Sequence, residues 1–158
     1  MQKKRLLITG VSGLLGNNLA FCLKDAYDIS GLYHNHRIEI EGVQTTRVDL
    51  AAGGNGIGAM IMKFKPDIVI HGAAQADVDV CEEYPQEAER INVSGTNNLM
   101  RSLNDSAAKL IYISTDLVYD GERGHFSEED PVNPLNFYGI TKCKAEEAVL
   151  KRKDALVL

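Results

Sequence analysis

The chain has 158 residues, and 44% of them are hydrophobic, which is enough to bury one sizeable core in a single domain and argues against disorder. The formal net charge of −5 provides no basic stripe, so nucleic acids and anionic membranes are poor partners. No run of apolar residues is long enough to span a bilayer. The composition favours a soluble protein that binds a small ligand.

The cysteines and the amino terminus indicate the cellular compartment. Cys22, Cys81 and Cys143 are odd in number, widely spaced and outside any C-x-x-C pair, which argues against a disulfide framework or a zinc site. The first residues imitate a signal peptide, but glycines interrupt the apolar part. We therefore expect a cytoplasmic protein with no metal site.

Short β-branched runs alternate with helical patterns along the chain. We predict strands over 5–9, 28–33, 43–48, 67–71, 109–114 and 155–158, and helices over 13–24, 57–64, 87–104 and 137–151. Such alternation predicts an α/β fold with a doubly wound parallel sheet whose strands are buried on both faces. The glycine cluster at 53–56 lacks the lysine of a P-loop, so we interpret it as a connector.

A glycine-rich turn, TGVSGLLG, connects the first predicted strand to the first predicted helix. Gly10, Gly13 and Gly16 permit a sharp turn and let the backbone approach a pyrophosphate, while free amides near Leu14 and Leu15 face the anion. The spacing is G-x-x-G-x-x-G rather than the usual G-x-G-x-x-G, so a turn that binds nothing is the alternative. In this setting the turn predicts a Rossmann-like fold.

Two further motifs supply groups for acid/base chemistry. Tyr138 and Lys142 are four residues apart at the start of a predicted helix and therefore share a face. We expect the ammonium to lower the tyrosine pKa from about 10 toward neutrality. Thr115 follows the fifth strand, where side chains emerge into the ligand crevice. An exposed pair and a hydroxyl that caps a turn are the simpler alternatives.

Four stretches carry a resemblance to a known family. They are HGAAQADVDVCEEYP at 71–85, RINVSGTNNL at 90–99, IYISTDLVYDG at 111–121 and FSEEDPVNPLNFYGITK at 126–142. In order, and over almost the whole chain, these stretches resemble the extended short-chain dehydrogenases/reductases, specifically the dTDP-4-dehydrorhamnose reductases. The sequence is also similar to the regulatory subunit of methionine adenosyltransferase.

The resemblance implies a set of site residues. The catalytic set would be Thr115, Tyr138 and Lys142. The cofactor contacts would be Gly10, Ser12, Gly13, Leu14, Leu15, Gly16, Asp49, Leu50, Ala73 and Ala74, together with Tyr138 and Lys142. Asp49 and Leu50 would meet the adenine, and the glycines would shape the pyrophosphate turn.

The implied reaction is the reduction of a 4-keto-6-deoxy nucleotide sugar. The nicotinamide would deliver hydride to the carbonyl carbon while Tyr138 donates the proton to its oxygen. Lys142 would hold the nicotinamide ribose, and Thr115 would hydrogen-bond the carbonyl. An epimerase or dehydratase of the same branch and a non-catalytic NADP-binding regulatory subunit are the alternatives. A homodimer is possible.

The end of the second predicted strand bears on the choice of cofactor. An acidic residue there accepts the ribose hydroxyls of NAD, whereas a basic residue favours the 2′-phosphate of NADP. The stretch Tyr33-His34-Asn35-His36-Arg37 contains no acid. We therefore predict NADP(H), with NAD(H) possible and with Arg37 as the phosphate contact; the alternative for Arg37 is a solvated arginine in a loop.

The chain stops within the predicted sixth strand. Proteins of the extended branch continue with a smaller carboxyl-terminal domain that supplies most of the nucleotide-sugar pocket. We therefore expect residues 1–158 to be the NAD(P)-binding Rossmann domain with a truncated sheet and without the substrate domain. This segment alone should lack turnover, because little surface remains to position a substrate.

Overall fold

The computed structural model describes residues 3–52 and 55–158. Of the connector predicted over 53–56, Gly53 and Gly54 lie outside the described residues, whereas Asn55 and Gly56 begin a helix. The strands are β1 (Arg5–Thr9), β2 (Asp28–Tyr33), β3 (Gln44–Arg47), β4 (Ile68–His71), β5 (Lys109–Tyr112) and β6 (Ala155–Val157). All neighbouring strands pair in parallel, in the order β3-β2-β1-β4-β5-β6. This order confirms the predicted Rossmann-like sheet.

Helices connect the strands. They are α1 (Leu14–Leu23), α2 (Asn55–Phe64), α3 (Val78–Glu83), α4 (Pro85–Glu89), α5 (Gly95–Ser102) and α6 (Phe137–Val149). A π-helical turn (Arg90–Ser94) joins α4 to α5, and a 3₁₀ turn (Asp116–Val118) follows β5. In the parts of the chain that the structure describes, no helix combines the length and the apolar character that crossing a membrane requires.

The prediction of a single α-helix over 87–104 is wrong in detail. The segment is helical from Pro85, but it widens into the π-helical turn before α5 begins. The buried side chain of Asn92 lies in this turn and bonds to residues of two other segments. Such bulges in helices occur frequently at functional sites. The prediction also missed α3, which Asp77 caps by accepting a hydrogen bond from the Val80 N–H.

The core lies on both faces of the sheet. Because side chains alternate along a strand, Leu7 of β1 packs with residues of α2, α5 and α6, whereas Leu6 and Ile8 pack with residues of α1. The two strands that end the order, β3 and β6, are only half buried. The prediction that every strand is buried on both faces is therefore wrong for these two, since each has one strand neighbour and little helix cover.

Candidate active site

A cleft of about 410 Å³ opens at the carboxyl ends of β1 to β4. Parallel strands in this order place their ends at one edge of the sheet, which is where such folds bind ligands. Seven of the predicted cofactor residues line this cleft: Gly10, Ser12, Gly13, Asp49, Leu50, Ala73 and Ala74. The fold therefore brings together predicted residues from three separate segments of the chain, 10–13, 49–50 and 73–74.

The glycine-rich turn forms one wall of the cleft. Gly10 has φ +74°, a left-handed conformation that favours glycine, and a Cβ there would lie only 2.8 Å from the Ala73 nitrogen. A Cβ on Gly16 would collide with the Gly10 carbonyl oxygen. The N–H groups of Gly10 and Val11 both donate to the Leu32 carbonyl, at 2.9 and 3.0 Å. The turn is thus held between β2 and β4, with its backbone open to a ligand.

Six of the predicted cofactor residues lie outside the cleft lining: Leu14, Leu15, Gly16, Arg37, Tyr138 and Lys142. Leu14 and Leu15 are exposed at the start of α1, and Gly16 is buried beneath the turn. The Arg37 guanidinium points to solvent and pairs with Glu39 at 2.8 Å. The structure therefore does not bring Arg37 to the cleft. Its neighbours His34, Asn35 and His36 line the cleft instead.

Three charged or titratable groups surround the outer end of the cleft, beyond β2 and β3. The Asp49 carboxylate lies 3.6 Å from His34 Nε2 and 3.7 Å from an Arg90 guanidinium nitrogen. Arg90 also donates two hydrogen bonds to Glu87, and this guanidinium lowers the pKa of Glu87. The sequence predictions missed this grouping because Asp49, the acid beside His34, follows β3 and not β2.

The start of α6 brings the predicted catalytic residues to the end of β5. Asn136 caps the helix by accepting a hydrogen bond from the Gly139 N–H at 2.7 Å. The Gly139 backbone packs directly on the turn after β5, where a Cβ would collide with the Leu117 carbonyl oxygen. Tyr138 is buried in the same contact region, and Lys142 lies one helical turn further on.

Thr115 opens the turn that packs on α6. Its backbone is extended, and its hydroxyl accepts a hydrogen bond from the Leu117 N–H at 3.2 Å and reaches Asp116 at 3.3 Å. The hydroxyl therefore caps the 3₁₀ turn, as the simpler alternative expected. It is only partly buried, so a substrate carbonyl can approach it.

Lys142 occupies a buried cage. Its ammonium donates to the Ile113 carbonyl at 2.6 Å and lies 4.1 Å from the centre of the Tyr112 ring. Only 3% of the residue is exposed, and this burial lowers the lysine pKa to about 8. An ammonium with this pKa remains mostly charged at neutral pH but lies within reach of deprotonation.

The pKa of Tyr138 moves in the opposite direction from the sequence prediction. Burial raises it first, and the negative charges that develop on Cys81 and Asp116 raise it further. Lys142 is not among the groups that shift it; its ammonium donates to the Ile113 carbonyl and lies over the Tyr112 ring. The prediction that the lysine lowers the tyrosine pKa is therefore wrong here, and the phenol is protonated at neutral pH.

A buried histidine connects the glycine-rich turn to α5. His71 has a pKa lowered to about 3, chiefly by burial and then by Lys142, so its ring is neutral. The Thr96 hydroxyl donates to the Asn92 carbonyl at 2.6 Å and can only accept from His71 Nε2 at 2.9 Å. His71 Nδ1 therefore accepts from the Thr9 hydroxyl at 2.6 Å.

The same network reaches α6 through the side chain of Asn92. Its amide nitrogen donates to Thr141 Oγ1 at 2.9 Å and to the Gln75 carbonyl at 3.0 Å, while its oxygen accepts from the Gln75 N–H. Thr141 in turn donates to the Tyr138 carbonyl at 2.7 Å. Sequence reasoning missed these polar residues, although polar positions such as Asn92 within apolar helical patterns are a signal for buried hydrogen bonds.

Similar proteins include dTDP-4-dehydrorhamnose reductases and a subunit of methionine adenosyltransferase. Methionine adenosyltransferase 2 subunit beta from Bos taurus is 37% identical over 150 residues, which cover 94% of this chain and 43% of that protein. A hypothetical dTDP-4-dehydrorhamnose reductase from Sulfolobus tokodaii has 36% identity and a TM-score of 0.88, covering 97% of this chain and 54% of that one.

A third similar protein is solved with a bound cofactor. The dTDP-4-dehydrorhamnose reductase from Bacillus anthracis, in complex with NADP, has 30% identity and a TM-score of 0.84, covering 99% of this chain and 52% of that one. The chain thus spans about half the length of these relatives. The family described as the RmlD substrate binding domain matches residues 4–158. These matches confirm the resemblance seen in the sequence, and the chain belongs to the RmlD substrate binding domain family.

Proposed function

We propose that this chain is the cofactor-binding and catalytic part of an NADPH-dependent reductase of a 4-keto-6-deoxy nucleotide sugar. The observation that carries the proposal is that the start of α6, with Tyr138 and Lys142, packs on the end of β5 and on the turn that Thr115 opens, in a fold whose cleft is walled by a glycine-rich turn. Similarity to dTDP-4-dehydrorhamnose reductases supports the reaction class. In this proposal residues 1–158 are the NAD(P)-binding domain, and cytoplasmic location and homodimer formation remain predictions.

The cleft fits a dinucleotide. Gly10 lets the turn pack closely on the Ala73 backbone, where a Cβ would clash, and Gly10, Ser12 and Gly13 line the cleft in which a pyrophosphate would approach the turn. NADP bound to the Bacillus anthracis relative supports NADP(H) as the cofactor. Asp49 beside His34 leaves NAD(H) possible, because a carboxylate at this end of the cleft can accept ribose hydroxyl groups. Arg37 contacts a 2′-phosphate only if it leaves Glu39.

Three residues of the chain would then act on the bound substrate and cofactor. When bound, the nicotinamide supplies a hydride to the carbonyl carbon. Tyr138 donates its phenolic proton to the carbonyl oxygen, and its raised pKa keeps this proton in place at neutral pH. Thr115 offers a hydroxyl to the same oxygen and stabilises the developing charge. Lys142 orients the nicotinamide ribose with a buried ammonium.

The test is turnover by the full-length protein with NADPH and dTDP-4-keto-6-deoxysugar, followed by absorbance of the reduced nicotinamide. Tyr138→Phe should lower kcat at least 10²-fold, on the order of a lost general acid, and should leave NADPH binding close to wild type. Tyr84→Phe is the matched control, because Tyr84 is an exposed tyrosine. Wild-type turnover by Tyr138→Phe would refute the assigned role.

A second candidate function is that of a non-catalytic NADP-binding regulatory subunit. The 37% identity to methionine adenosyltransferase 2 subunit beta supports it. In that case the full-length protein binds NADPH without consuming it in the presence of the sugar. An epimerase or dehydratase of the same branch would convert a nucleotide sugar with no net change in the cofactor, which product analysis distinguishes from both.

A further inference from the structure

Three residues of α6 lie in one stripe along the helix. Tyr138, Lys142 and Glu146 are spaced four residues apart, so their side chains follow one another on the same face. The first two belong to the proposed catalytic set. Glu146 has no role in the reaction described so far.

Glu146 and Lys142 hold consecutive residues at the end of β5. Lys142 Nζ donates to the Ile113 carbonyl, and the Ser114 hydroxyl donates to the Glu146 carboxylate. The next residue is Thr115, whose hydroxyl opens the turn toward Tyr138. Two neighbouring contacts from one helix therefore tie this strand end to α6.

Glu146 also supplies negative charge near the buried ammonium. The groups that face Lys142 are the neutral His71 ring on β4, the Tyr112 ring on β5, and Tyr138 and Glu146 on α6. Burial lowers the lysine pKa, and the Glu146 carboxylate opposes that change. Burial raises the pKa of Tyr112, and the Glu146 carboxylate raises it further.

We propose that Glu146 is a positioning residue of this active site: it holds Ser114, and with it the turn that Thr115 opens, against α6, and it places its carboxylate one helical turn from the Lys142 ammonium. The proposal rests on the proposed reductase function for its kinetic consequence. Its structural part, the dependence of Lys142 on Glu146, is independent of that function.

Two variants separate the hydrogen bond from the charge. Glu146→Gln keeps an oxygen that accepts from Ser114 but removes the charge, whereas Ser114→Ala removes the hydrogen bond and keeps the charge. Glu147→Gln is the matched control, since Glu147 is the next residue of the same helix and is exposed. Glu146→Asp retains the charge on a shorter side chain and serves as the conservative rescue.

The first measurement is the titration of Lys142 by carbon-13 NMR of lysine-labelled full-length protein, with Lys142→Met used to assign the signal. Glu146→Gln should lower the pKa of Lys142 below the wild-type value of about 8, while Glu146→Asp, Ser114→Ala and Glu147→Gln leave it close to wild type. This readout needs no cofactor or substrate. An unchanged Lys142 titration in Glu146→Gln would overturn the proposal.

The second measurement is the pH profile of kcat/KM for NADPH-dependent reduction. Glu146→Gln should move the alkaline limb to lower pH. Ser114→Ala should lower kcat on the order of tenfold, less than the 10² expected for a misplacement of about 1 Å, without moving that limb. A wild-type kcat in Ser114→Ala would overturn the positioning role. If the wild-type protein consumes no NADPH, the reductase function fails, and the NMR titration still decides the dependence of Lys142 on Glu146.

Discussion

The two ends of the site use similar chemical groups in different surroundings. At the outer end, beyond β2 and β3, the side chains of His34, Asp49 and Arg90 are each at least one third exposed. The Asp49 carboxylate lies 3.6 Å from His34 and 3.7 Å from Arg90. At the inner end, His71 and Lys142 are almost fully buried. Solvent screens the outer pairs, so each contributes about 0–1 kcal/mol to the free energy of unfolding. Burial, in contrast, lowers the pKa of His71 to about 3 and that of Lys142 to about 8.

This comparison teaches where substitutions should matter. The outer end can change its charges at little expense to stability, so it can adjust cofactor preference. At the inner end, hydrogen bonds connect the buried groups to one another. A substitution there therefore alters both the free energy of unfolding and the chemistry. Four predictions test this contrast, from the largest expected effect to the smallest.

The largest effect concerns His71 in acid. Its pKa is about 3 in the folded protein and about 6.5 in an unfolded chain, so the unfolded state binds more protons between these values. Below pH 6.5 the free energy of unfolding should therefore decrease as the pH decreases, by about 1.4 kcal/mol for each pH unit. His71→Gln, which can still accept from Thr9 and donate to Thr96, should remove this slope in urea unfolding measured from pH 7 to pH 4.

The matched control is His36→Gln, which changes an exposed histidine at the outer end and should keep the wild-type slope. An equal slope in His71→Gln and wild type would mean that the buried ring does not resist protonation, and the contrast between the two ends would fail.

The second effect concerns Lys142. Its folded pKa of about 8 lies below the unfolded value of about 10.4, so the buried charge destabilises the fold at neutral pH and this cost disappears as the pH rises through that window. Lys142→Met should raise the free energy of unfolding by about 1–2 kcal/mol at pH 7, less than the full pKa shift implies, because the bond to the Ile113 carbonyl is lost.

The same variant should lose most turnover, so stability and activity move in opposite directions. Lys144→Met is the control. Lys144 lies on the same helix as Lys142, but it is exposed and pairs with Glu89 of α4. A gain in stability from Lys144→Met as large as that from Lys142→Met would show that burial is not the cause.

The third effect concerns the choice of cofactor at the outer end. If Arg37 leaves Glu39 to contact a 2′-phosphate, Arg37→Ser should weaken NADPH binding by about three- to tenfold, as for a charge-assisted contact of about 1 kcal/mol, and leave NADH binding unchanged. Glu39→Gln frees Arg37 and should strengthen NADPH binding. Fluorescence titration with both cofactors measures these changes, and equal effects on both would contradict Arg37 as the phosphate contact.

The smallest effect concerns Arg90. Arg90→Gln breaks its exposed pairs with Asp49 and Glu87 and should lower the free energy of unfolding by less than about 1 kcal/mol. The loss should shrink further in high salt, because salt screens exposed charges. Thermal unfolding at two salt concentrations measures it. A loss of several kcal/mol that is insensitive to salt would make the outer end as tightly coupled as the inner one.

The residues of the site differ in how far the sequence could predict them. Gly10 and Gly13 were predicted from their place between a strand and a helix, and both line the cleft. Arg37 was chosen because it follows β2, yet its side chain pairs with Glu39 instead. The position of a backbone turn depends on its neighbours in the chain, whereas the direction of a long exposed side chain depends on which charges the fold places near it.

By itself the sequence determined the alternating strands and helices, the glycine-rich turn and the shared face of Tyr138 and Lys142, because periodicity and close spacing are local properties. The tertiary structure alone decided the partners of His71, which lie 62 and 25 residues away, and the sign of the Tyr138 pKa shift. That sign follows from desolvation and from the positions of Cys81 and Asp116. Both exist only after distant segments have packed around these side chains.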